Sequence, residues 1–190
     1  MSGHASSVND SIVIRKVTIG DIMNLTNKYC NMPPHIKKLF HPFPFKRSRL
    51  VPIFLVMWLN GYILPIVKKV FPTLGANLVI AYDTTHSCIA GFAFFVINKK
   101  VGKKLVANAG PVIFEEFQGR RIGRTMYEFL IKSARRAGIS RFHITIIEAN
   151  IPSLKFHESL GFIVKGYTKD ECWDGEMHKN MELELDLDKS

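Results

Sequence analysis

Read as a pattern of apolar and polar positions, the chain switches repeatedly between a period of two and a period of about 3.6. Residues 11–17 alternate apolar and polar side chains and predict a first strand. Thr18 or Asp21 then caps a helix carrying Ile22, Leu25 and Tyr29 on one stripe, and Pro33-Pro34 ends it. Residues 34–40 predict one short helix before prolines at 42 and 44 break the chain again. Residues 77–83 and 88–98 predict two strands across a polar turn at 84–87, and residues 105–114 a third. Gly110-Pro111 inside that third run predicts a bulge, because proline cannot donate to a ladder. Residues 163–167 predict another strand. Residues 181–188 predict the last, with Met181, Leu183, Leu185 and Leu187 inward and four carboxylates outward.

Between these runs lies the most regular helix. Ile122, Met126, Phe129, Leu130 and Ala134 fall on one stripe, while Arg124, Glu128, Lys132 and Arg136 form a ladder of alternating sign on the other face. Gly138 ends it. Residues 141–147 then predict a strand and residues 150–161 a short helix, with Asn150 as N-cap, Pro152 in the first turn and Gly161 as the stop.

Residues 50–67 carry no charge and sit between Lys46-Arg47-Ser48-Arg49 and Lys68-Lys69. Their length reaches the threshold of a membrane span. Pro52, Asn60, Gly61 and Pro65 interrupt them, and basic residues on both sides specify no orientation, so two short apolar helices, residues 52–59 and 62–70, are expected instead. A shallow contact with lipid stays open.

The chemistry concentrates ahead of the regular helix. Gln118-Gly-Arg-Arg-Ile-Gly123 is a glycine-bearing turn between a strand and a helix, so unpaired N–H groups and the positive end of the helix dipole meet Arg120, Arg121 and Arg124. That suits a pyrophosphate, with a solvated basic turn as the bland alternative. A P-loop is excluded, since the glycines are one residue too close and Arg124 stands where the phosphate-binding lysine belongs. No G-x-G-x-x-G supports a dinucleotide fold.

The two motifs together resemble the GNAT superfamily of acyl-CoA-dependent N-acetyltransferases. The first is the turn Gln118 to Gly123 opening a helix; the second is Asn150, Ser153, Phe156, Glu158, Gly161 and Phe162 at the family's spacing. The resemblance implies one α/β domain over residues 1–190. Its twisted mixed sheet would have six to seven strands, helices on both faces and a splayed central pair of strands forming an acyl-CoA cleft. The helical apolar stretch at about 33–75 would be an insertion. The resemblance also implies that Gln118, Gly119, Arg120, Arg121, Ile122, Gly123, Arg124 and Thr125 hold the pyrophosphate of acetyl-CoA. Pro111, Val112 and Ile113 would bond its pantetheine arm, with Asn150 and Ser153 beside it. Two positions depart from the pattern. Arg121 replaces a glycine, so the turn is reshaped or the guanidinium grips the phosphates. His157 replaces the tyrosine that protonates the departing thiolate, and is either that acid or a helix residue without catalytic duty.

The acceptor side is implied only by position. Phe43, Phe45, Trp58 and Tyr62 would shape the acceptor pocket, or are plain core. Asp170, Glu171, Cys172, Trp173 and Asp174, between the last two strands, would reach the cleft edge. Glu148, Glu115 and Glu116 are candidate bases, or surface carboxylates.

Composition narrows the alternatives. A 190-residue chain with 47% hydrophobic residues buries a real core. Three cysteines without a C-x-x-C pair, and no signal-peptide pattern among residues 1–10, predict reduced thiols and a cytoplasmic protein. The net charge of +10 is uneven: residues 1–75 hold ten Lys/Arg against two Asp/Glu, the remainder sixteen against fourteen. No nucleic-acid motif accompanies it, which argues against that partner. Seven scattered histidines make no metal motif, and no G-x-S-x-G elbow supports a hydrolase. The expectation is an acetyl-CoA-dependent N-acetyltransferase acting on a small-molecule or protein amine. A non-catalytic acyl-CoA-binding module, a peripheral membrane acyltransferase and a homodimer stay open.

Overall fold

The computed structural model describes residues 11–39, 42–70, 75–102, 104–171 and 175–188, with side chains described only to Tyr62 in the helix that ends at Val70. Cys172, Trp173 and Asp174 lie outside the described residues, as does residue 40 at the end of the expected short helix. In chain order the elements are β1 (Ile12–Lys16), α1 (Asp21–Cys30), α2 (Pro34–Lys37), α3 (Arg47–Val70), β2 (Ala76–Asp83), β3 (Cys88–Val101) and β4 (Lys104–Ile113). They continue with a 3-10 turn (Glu115–Phe117), α4 (Ile122–Arg136), β5 (Ile139–Ile147), α5 (Ile151–Glu158), β6 (Ile163–Glu171) and β7 (Met177–Asp186).

The strands form one sheet in the order β1-β2-β3-β4-β5-β7-β6, antiparallel except for the parallel pair β4·β5. β3 is buried on both faces. Phe92 meets Tyr29 of α1 and Phe54 of α3 edge to face, at 5.8 and 5.7 Å between ring centres. The alternate side chains Ala93 and Phe95 are just as buried. α4 packs across β3, β4 and β5 with Ile122, Met126, Tyr127, Leu130 and Ala134 inward; Tyr127 joins the predicted stripe, and Phe129 at its margin is half-buried.

Two expectations are corrected here. Residues 52–59 and 62–70 belong to a single helix, α3, with no break at Asn60-Gly61. Pro52 stands exposed in the second turn. Pro65 has no N–H to return to the Gly61 carbonyl, and Lys16 Nζ donates to that carbonyl instead, at 3.0 Å. The bulge expected at Gly110-Pro111 is also absent, because β4 keeps register with β3 from Ala107 to Ile113 and the irregularity lies between Ile97 and Lys99.

The relation of Pro111 to the ladder explains why none is needed. Phe114 N–H donates to Ala90 C=O at 3.1 Å, which fixes the hydrogen-bonding parity of the pair. On that parity Val112 and Gly110 turn their backbone groups to β3, while Pro111 and Ile113 turn theirs to the opposite edge. Proline loses nothing there.

Candidate acyl-transfer cleft

The opposite edge of β4 is open for a topological reason. β4 and β5 pair only at Leu105↔Ile139, Val106↔Arg141 and Ala107↔Phe142. Beyond that β4 stays with β3 as far as Ile113, and β5 stays with β7 as far as Ile147↔Asn180. The two strands therefore part like a wedge, and buried backbone along the wedge lacks a ladder partner.

A cleft of about 670 Å³ lies over this wedge, between β4, the start of α4, α5 and α2. Gln118 Nε2 donates to Ile113 C=O at 3.2 Å and ties the turn to the strand. Gly119 is left-handed at φ 76°, and Arg121, the N-cap of α4, is left-handed at φ 61°. Arg121 thus adopts the backbone that a glycine would take freely, at a cost of about 1–2 kcal/mol for a side-chain-bearing residue. The turn is closed through this left-handed residue, and Arg121 stands exposed. No side chain caps α4, so its first amides and its dipole face the cleft. Arg124 is held by Ser159 Oγ at 2.9 Å, and Arg120 lies over the Phe117 ring while donating to Glu116 C=O at 3.1 Å. Thr125 lies exposed one turn on, its hydroxyl donating to Arg121 C=O at 3.4 Å, and does not line the cleft.

A second, smaller cavity of about 300 Å³ adjoins on the β5–β7 side of the wedge. Pro111, Asn150, Ser153, His157 and Leu39 line both. Asn150 is a strut between elements: its Oδ1 accepts from Ser153 N–H at 3.2 Å and its Nδ2 donates to Leu39 C=O at 2.9 Å, joining α5 to the end of α2. Asn150→Ala is expected to cost about 1–2 kcal/mol through the lost cap, measurable by urea unfolding. Because the Leu39 tie goes too, ligand affinity in both cavities should fall with it.

His157 sits at the junction, 5% exposed, with Tyr127, Phe156 and Phe162 edge-on around its ring. Its Nδ1 donates to Ser153 C=O at 2.8 Å, which leaves Nε2 as a bare lone pair without a partner among the described residues. Burial pushes its pKa down to about 4, against the opposing pull of the Ser153 bond. The ring is neutral at pH 7, and its one proton is already spent on a backbone carbonyl. To the sequence reading, a thiolate-protonating acid or a helix residue without catalytic duty, the geometry adds that the resting ring carries its one proton on Nδ1 and leaves Nε2 unprotonated.

The three candidate bases separate. Glu115 lines the larger cleft and faces His35 at 3.6 Å. Glu116 is tied to Lys28 at 3.1 Å, and Glu148 lines neither cavity. Phe43, Phe45, Trp58 and Tyr62 line neither as well. Phe43 packs on Phe94 at 4.7 Å and Phe45 stacks on Tyr29 at 4.9 Å, in the layer between α1 and the sheet, whereas Trp58 meets Tyr62 at 5.6 Å along α3 and the Tyr62 ring is exposed. Burying the rings of Phe43 and Phe45 in that layer outweighs leaving them at a cleft rim.

The acceptor-side residues that sequence reasoning left undifferentiated are Asp170 and Asn180. β6 runs on to Glu171, so Thr168 to Glu171 form strand rather than the expected connection. Among the described residues Asp170 is the only formally charged one lining the smaller cavity, where its carboxylate accepts from Thr168 Oγ1 at 2.6 Å and Asn180 Nδ2 at 3.4 Å. The signal available in the sequence was an asparagine, Asn180, directly ahead of the alternating run at 181–188; its burial shows only in the fold. Among the described residues no group of three or more His, Cys, Asp or Glu could hold a metal ion.

No curated protein matches the chain. Solved structures do. The yncA protein of Salmonella typhimurium, solved with its cofactor acetyl-CoA, is 19% identical with a TM-score of 0.71 over 94% of this chain and 95% of that one. Ribosomal-protein-S5-alanine acetyltransferase of Vibrio fischeri is 17% identical with a TM-score of 0.70 over 94% of each chain. Spermidine N-acetyltransferase of Vibrio cholerae, in complex with CoA and spermine, is 16% identical with a TM-score of 0.69 over 95% and 98%. At these identities the likeness is one of fold. Residues 56–162, more than half of the chain and the segment that contains the wedge, the turn at 118–123 and α5, match the acetyltransferase (GNAT) family, and the chain belongs to it.

Proposed function

We propose that the protein transfers an acetyl group from acetyl-CoA to the primary amine of a small cationic acceptor. The observation that carries this reading is the meeting of two cavities at one wedge, an anion-binding helix start on one side and a lone carboxylate on the other. Acetyl-CoA supplies a carbonyl activated as a thioester. The uncapped amides of α4, with Arg120, Arg121 and Arg124 around them, suit its pyrophosphate. The open edge of β4, with Ile113 N–H and Pro111 C=O, suits the amide groups of its pantetheine arm.

The acceptor enters from the β6–β7 side. Asp170 and Asn180 hold an ammonium group, and the reacting amine is presented neutral at the wedge. His157 Nε2 accepts the proton that this amine loses as its nitrogen bonds to carbon. The departing thiolate takes up a proton as the carbon–sulfur bond breaks. An imidazolium held in so apolar a cage is a strong donor, so His157 can return the proton it has just received. The polyamine in the Vibrio cholerae relative has the chemical class this cavity suits.

Thiol release from acetyl-CoA should require an added amine and should favour di- and polyamines over neutral ones. Asp170→Asn should raise KM for a diamine by roughly 10-fold or more, the size of a lost charge-assisted hydrogen bond, and leave KM for acetyl-CoA unchanged. Acetyl-CoA binding without thiol release in any amine would identify a binding module instead.

A further inference from the structure

We propose that the outward face of α3 docks on an anionic membrane surface, with the helix lying in the plane of the bilayer. α3 is apolar around its whole circumference through Tyr62, yet it is buried on one side only. Leu50, Phe54 and Met57 enter the core. Pro52, Leu55, Val56, Leu59 and Tyr62, spaced by three and four on the opposite side, are exposed, Val56 at 58% and Leu59 at 49%. A helix with apolar residues all round belongs between two apolar layers, and the structure supplies one. The patch is a continuous strip rather than scattered single residues, which marks a contact surface.

Charge selects the second layer. Residues 22–82 hold eight Lys/Arg and no Asp/Glu. Lys46, Arg47 and Arg49 stand exposed at the start of α3, and Lys68 and Lys69 fall in its last turn. A strip of aliphatic side chains between two basic ends, on a segment without any carboxylate, complements anionic headgroups over acyl chains. Tyr62, with its ring exposed and its hydroxyl donating to Val17 C=O at 3.4 Å, has the amphipathic character of an interfacial aromatic. Among the described residues no helix is long and apolar enough to cross a membrane, so the contact is with one leaflet. Neither cavity is lined by these residues, and the proposal stands apart from the acetyl-transfer reading.

Co-sedimentation of the full chain with phosphatidylcholine vesicles, with and without about 30% phosphatidylglycerol, tests it. The expected result is binding at least about 10-fold stronger to the anionic vesicles, weakened by salt. The double variant Val56→Gln with Leu59→Gln should lose most of that binding while melting within a few degrees of wild type, since both side chains are exposed in the structure. Equal partition to neutral and anionic vesicles, no partition to either, or anionic binding that survives in the folded double variant would each overturn the proposal. So would concentration-dependent dimerisation, seen by analytical ultracentrifugation and abolished by the double variant, because a second copy would then cover the strip.

Discussion

Replacing Gly123 by glutamate is expected to weaken acetyl-CoA binding by about 100-fold or more while leaving the protein folded. Gly123 is the second residue of α4 and lines the larger cleft. A Cβ there would meet Ile113 Cγ1 and Phe156 Cζ, each at 3.6 Å, which is ordinary contact. The added carboxylate is even favourable for the helix alone, by about 0.3–1 kcal/mol, because it sits at the positive end of the dipole. What it destroys is the site's sign. A carboxylate a few ångströms from a pyrophosphate costs about 4 kcal/mol per charge pair at the effective dielectric of a protein surface. Gly123→Ala separates charge from bulk and should change affinity by less than about 3-fold, given the 3.6 Å contacts. Calorimetric titration of the two variants reads the difference, and equal losses in both would mean that the pyrophosphate lies elsewhere.

The second large effect falls on stability. A Cβ at Gly91 would stand 2.5 Å from the Val112 carbonyl oxygen and 2.9 Å from Ile113 Cδ1. The first of these is backbone and cannot rotate away. β3 also slips its register against β2 here, pairing Ala81 with Gly91 but Tyr82 with Ile89, so Ala90 is an extra residue on the strand. That bulge stands opposite Ile113, at the end of β4 where the wedge is open. Gly91→Ala is expected to cost about 3 kcal/mol, at the upper end for overpacking, which is roughly 6–12 °C in melting temperature for a chain of this size. Urea unfolding gives the value directly. A loss under about 0.5 kcal/mol would show that the strands separate freely at this point.

Much of this arrangement was legible because local signals coincided with tertiary demands. Asn150 reads as a cap and is one; the stripe on α4 faces the sheet; Leu183, Leu185 and Leu187 are buried as their alternation requires. The failures are equally local. Pro65 reads as a break, and nothing nearby reveals that Lys16, 45 residues earlier than Gly61, replaces the missing donor. Gly110-Pro111 reads as a bulge because parity in a ladder depends on the partner strand, and the partner is fixed only at Phe114 and Ala90. β6 reads as ending at residue 167 because its outer half is polar and exposed, so no apolar alternation marks it. Asp170 is therefore expected at the cleft edge only as one of five residues of a connection, whereas its place in the smaller cavity comes from pairing with β7. The state of His157 lay furthest from view. Three aromatic neighbours contributed by α4, α5 and the residue after Gly161 set its burial, and only the folded chain brings them together.

The central claim is that the turn at 118–123 holds the pyrophosphate of acetyl-CoA and the wedge holds its arm. Melting-temperature titrations of the wild-type protein with acetyl-CoA and, separately, with acetylpantetheine test it most directly. Acetylpantetheine keeps the arm and the thioester but has no pyrophosphate, and a ligand that binds the folded state alone raises the melting temperature in step with its concentration. The account predicts a saturable rise with acetyl-CoA and at least about a 100-fold weaker effect with acetylpantetheine, the helix start and its arginines being worth about 3 kcal/mol to a dianion. No rise with either ligand, or the same rise with both, would contradict it.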